Sequence, residues 1–321
     1  MWNGPLLKAS ASGVSQLSRC GPFRTAAIRH ARTLKCPLSG VRAGHNVRVI
    51  WPKRHKTTEE GSDLVGRHRR SPGGAPERLL SATPSKIVTV YAGKGGVGKT
   101  TISYELAYNL GAVLVDLDWD AGGASGMWGY NTRERQPRRS LVDSLTADRL
   151  PSIVSEERRP DLVPSHPDLA VNQPEPADMR DRLAKWAAEW GRPWVVVDTH
   201  PGGGAIAFGA LAAAAVVVMP VVLGMRELDA LEGTLDELKG YPILVVPNKV
   251  PPSPPVPLVQ RLEGILAAAG SVPQSDVISF YPWLARRQLR VALTSYDPIP
   301  NRLDRAVEEL RAVTTAVESY G

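Results

Sequence analysis

A glycine-rich stretch that contains two lysines carries the strongest chemical signal in this 321-residue chain. The stretch covers residues 93–101 and reads Gly93-Lys94-Gly95-Gly96-Val97-Gly98-Lys99-Thr100-Thr101. Gly93 and Gly98 are five positions apart and Lys99-Thr100 close the stretch, which is the spacing of a phosphate-binding P-loop. Glycines let several backbone N–H groups point at one phosphate, and the N-terminus of a following helix adds positive charge.

The side chains at the end of this loop have separate predicted tasks. Lys99 is expected to reach the β- and γ-phosphates of a nucleotide, and Thr100 to offer its hydroxyl to Mg²⁺. Thr101 is placed to contact the α-phosphate. Residues 93–101 are therefore predicted to bind a nucleoside triphosphate together with Mg²⁺.

Carboxylates follow two apolar runs elsewhere in the chain. Asp116 and Asp118 come after the run at 112–115, and Asp198 comes after the run at 194–197. Carboxylates that cluster at strand ends repel one another unless a cation neutralises them. This pattern supports a metal ion near the predicted nucleotide.

The segments that would position these residues alternate between strand and helix from residue 86 onward. Short apolar runs predict strands at 87–91, 112–116, 194–198, 216–219 and 243–246, with a weaker one at 277–279. Continuous apolar strands indicate a sheet that is covered on both faces. We expect residues 86–321 to form one α/β domain with a doubly wound, mostly parallel sheet flanked by helices, which binds its ligand beyond the carboxyl ends of the strands.

Apolar stripes with helical spacing lie between the predicted strands. One stripe comprises Met179, Leu183, Trp186 and Trp190, and others cover 228–238 and 303–317. Residues 202–224 contain no charged side chain, but a buried helix followed by a buried strand explains this segment better than a membrane span does.

Residues 1–85 have a different composition from the rest of the chain. They hold 15 of the 39 Lys and Arg residues but 4 of the 32 Asp and Glu residues, a net charge of +11. Both cysteines, Cys20 and Cys36, lie there, so the sequence offers no thiolate metal site in the domain. We expect a largely disordered arm, and three interpretations remain open: an organellar transit peptide, a DNA phosphate-binding tail, or upstream sequence without a function.

The glycine-rich loop resembles the deviant Walker A motif of the ParA/MinD family of P-loop ATPases, because Lys94 supplies a second lysine early in the loop. The likeness runs from about Lys86 to the C-terminus. It implies a nucleotide-sandwiched homodimer in which Lys94 reaches the phosphates bound by the partner subunit, so that Lys94, Lys99 and Asp118 are the catalytic residues.

The same resemblance assigns the remaining site residues. Asp118 would position the attacking water, Asp116 would support the Mg²⁺ shell, and Asp198 would hold Mg²⁺ through water. Asn248 resembles the adenine-contacting asparagine of the family, and Pro251 stands where a guanine-reading motif requires an acid, so ATP is favoured over GTP. His200 replaces a common proline and is interpreted as polar lining of the site.

Within the family, the likeness is greatest to ParA-type DNA-partitioning ATPases. The resemblance implies a cytoplasmic, nucleoid-associated protein without membrane binding, whose ATP-bound dimer binds DNA non-specifically. Hydrolysis, stimulated by a ParB-like adaptor, would release it. A nucleotide-switched positioning scaffold with little hydrolysis is the alternative. Candidate DNA-binding residues are Arg286, Arg287, Arg290, Arg302 and Arg305.

Overall fold

The computed structural model describes residues 84–120, 123–284 and 290–320, which are built around a six-stranded parallel sheet. The strand order is β3-β2-β4-β1-β5-β6, and every pairing is parallel. This arrangement confirms the predicted doubly wound α/β fold. The strands are β1 (Lys86–Val90), β2 (Val113–Leu117), β3 (Asp161–Val163), β4 (Trp194–Thr199), β5 (Val216–Val221) and β6 (Ile243–Pro247).

Helices cover both faces of the sheet, as the apolar strands predicted. Because side chains alternate along a strand, Val88 packs with the α1 and α8 side chains, whereas Ile87 packs with those of α4 and α5. A third cluster packs α6 and α7 against β5 and β6. The helices are α1 (Lys99–Asn109), α2 (Ala124–Trp128), α3 (Leu141–Ala147), α4 (Pro176–Trp190), α5 (Ala205–Ala213), α6 (Met225–Glu237), α7 (Val256–Ala268) and α8 (Asp304–Tyr320).

Two details of the predicted sheet are wrong. The short strand β3 was not predicted, because three residues that begin with an aspartate carry no periodic signal. The predicted strand at 277–279 makes only an isolated bridge between Ser279 and Val250. Backbone hydrogen bonds join Ile278 and Phe280 to Pro247 and Val250, while the amide and hydroxyl of Ser279 donate to the Glu309 carboxylate of α8, each at 2.7 Å.

The uncharged segment at 202–224 folds as predicted, with the apolar helix α5 leading into the buried strand β5. Within the described ranges, no helix combines the length and apolar character that crossing a membrane requires. The proposed arm at 1–85 lies outside the described residues except for its last two positions.

Candidate nucleotide-binding site

The glycine-rich loop connects β1, which lies inside the sheet between β4 and β5, to the N-terminus of α1. Gly96 and Gly98 have φ angles of +76° and +98°, a region that side chains with a Cβ rarely adopt. The amide of Ile102 donates to the Gly98 carbonyl at 3.1 Å and so continues the loop into the first turn of α1. The loop is therefore shaped as the P-loop spacing predicted.

Two residues that follow β6, Asn248 and Lys249, form hydrogen bonds to carbonyl groups of this loop. The Asn248 Nδ2 donates to the Val97 carbonyl at 2.7 Å, and the Lys249 Nζ donates to the Gly96 carbonyl at 2.6 Å. Asn248 is 6% exposed. Asn248 therefore contacts the glycine-rich loop, which is predicted to bind the nucleotide. Its contact with adenine stays a prediction.

Gly98→Ala is expected to damage the loop severely. A Cβ at this position would lie 2.2 Å from the Asn248 Nδ2, and the φ of +98° adds backbone strain. The hydrogen bond from Asn248 to Val97 would break, and we expect ATP affinity to fall by about 10-fold or more. Isothermal titration calorimetry measures the loss, and Gly264→Ala, where an added Cβ meets nothing within 4 Å, is the matched control.

Lys99 and Asp198 lie together beneath the loop. Lys99 is 5% exposed; burial lowers its pKa, and the charges of Asp198 and Asp118 oppose that change. Burial raises the pKa of Asp198 to about 6, while the nearby Ser103 and Thr100 hydroxyls act in the other direction. A buried ammonium beside carboxylates is the arrangement that phosphate and Mg²⁺ would complete.

Asp198 also carries the atom that best fits a metal ion. Its Oδ1 accepts a hydrogen bond of 2.8 Å from the Ser103 hydroxyl, whereas its Oδ2 is buried and receives no hydrogen bond of ordinary geometry from the described residues. Mg²⁺ prefers oxygen ligands, and the Thr100 hydroxyl lies beside this carboxylate. Thr100 and Asp198 therefore fit the predicted magnesium site.

Asp116, the neighbour of Asp198 on the adjacent strand, has a different environment. Its Oδ2 accepts from both the amide and the hydroxyl of Ser125 at 2.6 Å, and its Oδ1 accepts from the Asp118 amide at 3.0 Å. Burial and the charge of Asp198 raise its pKa to about 8. Asp116 thus anchors the start of α2, and a role in the Mg²⁺ shell stays a prediction.

Asp118 lies at the mouth of the site, on the loop that follows β2. It is 8% exposed, its Oδ1 accepts from the Asp120 amide at 3.1 Å, and burial raises its pKa. A Cβ at Gly123 would lie 3.0 Å from atoms of Asp116 and Asp118, so a larger residue here would crowd these carboxylates. The position is suited to a carboxylate that orients water.

Lys94 lies on the opposite side of the loop, toward α6. It is half-buried and lines a cavity of about 20 Å³ together with Met219, Glu227 and Thr234. Its ammonium has no hydrogen-bond or ion-pair partner among the described residues, whereas Lys99 approaches the carboxylates. The two lysines are thus placed differently, and a contact of Lys94 with a partner subunit stays a prediction.

The predicted DNA-binding arginines do not form one uniform group. Arg286 and Arg287 lie outside the described residues. Arg305 bonds to Glu309 at 2.9 Å and to the Ser279 hydroxyl at 2.8 Å, and Arg302 is exposed. Arg290 lines a cavity of about 340 Å³, whose other basic residues are Arg135 and Arg159.

Sequence reasoning missed several residues that hold the site together. Ser103 and Lys249 donate hydrogen bonds to Asp198 and Gly96, which are distant in the sequence. The Ser125 hydroxyl also accepts from the Ser165 amide at 2.9 Å. Trp119 stacks on His200 with ring centroids 3.9 Å apart. A glycine-rich spacing signals the loop, but such tertiary contacts have no local sequence signal.

In this chain a P-loop joins a central parallel strand to a helix, and a buried lysine and a buried carboxylate lie beneath it. These features are those of the P-loop nucleotide-binding proteins. A family model described as an AAA domain matches residues 85–240. The chromosome partitioning protein ParA of Myxococcus xanthus is 30% identical over 176 residues, which are 49% of this chain and 60% of that protein. The match thus spans about three fifths of this relative.

Solved structures share the fold at lower sequence identity. The cell division ATPase MinD of Pyrococcus furiosus has a TM-score of 0.59 at 20% identity, and the match covers 74% of this chain and all of that one. The MinD of Pyrococcus horikoshii, complexed with Mg-ADP, has a TM-score of 0.57 at 18% identity over 73% and 96% of the two chains. These comparisons confirm the resemblance to ParA and MinD proteins seen in the sequence, and the fold is that of a P-loop NTPase.

Proposed function

We propose that this protein hydrolyses ATP in a Mg²⁺-dependent reaction at residues 93–101. Two features beneath the P-loop carry the proposal: the buried Lys99, and the Asp198 Oδ2, which has no hydrogen-bond partner among the described residues. The bound Mg-ADP of the Pyrococcus horikoshii MinD supports the same ligand class here. Backbone amides of the loop would hold the phosphates, and Thr100 and Asp198 would hold Mg²⁺, which neutralises phosphate charge.

Each catalytic side chain then has one task. Asp118 orients a water molecule, which attacks the γ-phosphorus while the bond to the β–γ bridging oxygen breaks. Lys99 stabilises the negative charge that develops on the phosphate oxygens within its own subunit. Lys94 supplies a second positive charge across an ATP-bound homodimer, which makes dimerisation part of the reaction.

The base specificity follows from the segment after β6. Pro251 replaces the acid that guanine recognition requires, so we propose ATP and not GTP as the substrate. The hydrogen bond between Asn248 and Val97 keeps the asparagine beside the loop, where a rotation of its amide would present it to adenine.

We further propose that the ATP-bound dimer binds DNA without sequence preference and is released by hydrolysis, which a ParB-like adaptor stimulates. The name of the Myxococcus xanthus relative, a chromosome partitioning protein, supports this cellular role. In the structure, Arg135 and Arg290 line one cavity at the end of α2. Its third arginine, Arg159, is paired with Glu156 at 2.9 Å, and Glu134 also lines the cavity. Arginines in such a group suit the phosphates of a DNA backbone, and the protein would then be cytoplasmic and nucleoid-associated.

A DNA titration at two salt concentrations tests this role. Protein loaded with ATP is expected to bind duplex DNA more tightly than protein loaded with ADP, and its affinity should fall steeply with salt because counterions are released. Fluorescence anisotropy with a labelled random duplex measures both effects. Equal affinity in the two nucleotide states, or affinity that is insensitive to salt, would refute DNA partitioning and leave the positioning scaffold.

The arginine group has a test of its own. The double variant Arg135→Ala/Arg290→Ala is expected to weaken ATP-dependent DNA binding and to reduce the slope of the salt dependence by about 2, because two phosphate contacts are lost. Arg182→Ala is the matched control, since Arg182 is paired with Asp148 on another surface. An unchanged slope would exclude this cavity as the DNA contact.

A further inference from the structure

His200 links the two loops that carry the catalytic carboxylates. It lies two residues after Asp198, on the loop that follows β4. Its ring stacks on Trp119, on the loop that follows β2, with centroids 3.9 Å apart and planes 8° from parallel. Its Nε2 also lies 3.2 Å from the Asp120 Oδ2. The contact between His200 and Asp120 joins residues 80 positions apart in the chain.

The contacts of His200 continue to Asp118 through the backbone. The amide of Asp120, whose side chain bonds to His200, donates to the Asp118 Oδ1 at 3.1 Å. Trp119, which stacks on His200, lies between the two aspartates in sequence. The orientation of the Asp118 carboxylate therefore depends on the conformation of residues 119–120, and His200 holds both of them.

Neither contact would be possible for a proline at this position. A proline ring has no nitrogen that could bond to Asp120 and no aromatic face that could stack on Trp119. The Asp120 side chain is 68% exposed, so without His200 it would have little to fix it. His200, Trp119 and Asp120 thus form a latch between the two loops.

We infer that His200 is a positioning residue for ATP hydrolysis, which holds Trp119 and Asp120 so that Asp118 orients the attacking water. The inference rests on the proposed ATPase activity. His200 acts through the loop and not on the water itself, because its Nε2 already bonds to Asp120. Loss of the latch therefore affects the chemical step and leaves the P-loop, Lys99 and Asp198 intact.

Steady-state kinetics of His200 variants test the inference. His200→Ala and His200→Pro are expected to lower kcat about 10-fold, because a small misplacement of a catalytic group is costly, while KM for ATP changes less than about twofold. His200→Gln, which can still bond to Asp120, should recover part of the loss. An increase in KM for ATP without a fall in kcat, or full activity of His200→Pro, would overturn the inference.

A double-mutant cycle tests whether the latch works through Asp120. If His200 acts on Asp118 through Asp120, then Asp120→Ala should lower kcat to a similar extent, and His200→Ala/Asp120→Ala should cost no more than the larger single change. Independent losses that multiply would contradict this path. Chelator-washed protein with Mg²⁺ alone is used throughout, because the ligand atoms of Asp118, Asp120 and His200 lie within 4.8 Å of one another. An added requirement for a second divalent cation would favour a metal site and overturn the latch.

A readout without hydrolysis separates this inference from the proposed function. Amide hydrogen exchange in residues 115–120 is expected to be faster in His200→Ala than in the wild type, whereas exchange in the buried strand β6 should be the same. If the wild type hydrolyses no ATP, the proposed function fails, but the exchange result still decides whether His200 holds this loop. Equal exchange in both proteins would refute the latch.

Discussion

Lys99→Ala is expected to weaken the binding of MgATP about 100-fold or more, since a phosphate buried without its charged partner loses several kcal/mol. Lys99 is 5% exposed and its charge lies near Asp198 and Asp118, so the variant also leaves these carboxylates without a counter-charge. Isothermal titration calorimetry with a non-hydrolysable ATP analogue measures the loss.

Lys94→Ala serves as the comparison for this variant. Lys94 is half-buried on the α6 side of the loop. We therefore expect the affinity of the monomer for MgATP to stay within about threefold of the wild type, as is usual when an exposed charge is removed. Dimerisation with ATP and hydrolysis should nevertheless disappear. If the two lysine variants lose nucleotide binding equally, the separate roles of Lys94 and Lys99 are wrong.

Asp118→Ala is expected to lower kcat by about 10² to 10³-fold, which is the usual effect of removing one preorganised polar group from an active site. Nucleotide binding should persist, because Asp198 and the P-loop are unchanged. Asp118→Ala should therefore accumulate as an ATP-bound dimer that does not turn over.

Light scattering with ATP, together with phosphate release, measures both properties of this variant. Asp181→Ala, which removes an exposed carboxylate paired with Arg180 on α4, is the matched control and should behave like the wild type. Normal turnover of Asp118→Ala would show that another group orients the water.

The fold and the centre of the site could be predicted because their signals are local. Continuous apolar runs predict buried parallel strands, and the spacing of Gly93, Gly98, Lys99 and Thr100 predicts a loop that holds phosphate whatever surrounds it. The carboxyl ends of parallel strands lie at the same edge of a sheet, so the sequence alone predicts that Asp118 and Asp198 lie beside the loop.

The contacts that hold the site in place could not be predicted in this way. The bond from Ser103 to Asp198 depends on how α1 packs on β4, and the bonds from Asn248 and Lys249 depend on the turn after β6. The stack of Trp119 on His200 joins two loops whose proximity follows only from strand order. Each contact requires tertiary geometry that residue spacing does not contain.

The surface roles were also less accessible to sequence reasoning. A basic side chain shows its charge in the sequence but not its neighbours. Arg305 proves to be paired with Glu309, whereas Arg290 lies with Arg135, about 150 positions away. The arginines that are neighbours in the sequence are therefore not the arginines that are neighbours in the folded protein.

Phosphate release from ATP by the wild type and by Asp198→Asn, each with Mg²⁺ and with a chelator, tests the proposed ATPase activity most directly. We expect the wild type to release phosphate from ATP only when Mg²⁺ is present and not to release it from GTP. Asp198→Asn, which loses the buried carboxylate oxygen, should be inactive in both conditions. Activity that persists without Mg²⁺, or that Asp198→Asn leaves unchanged, would refute Mg²⁺-dependent ATP hydrolysis at this site.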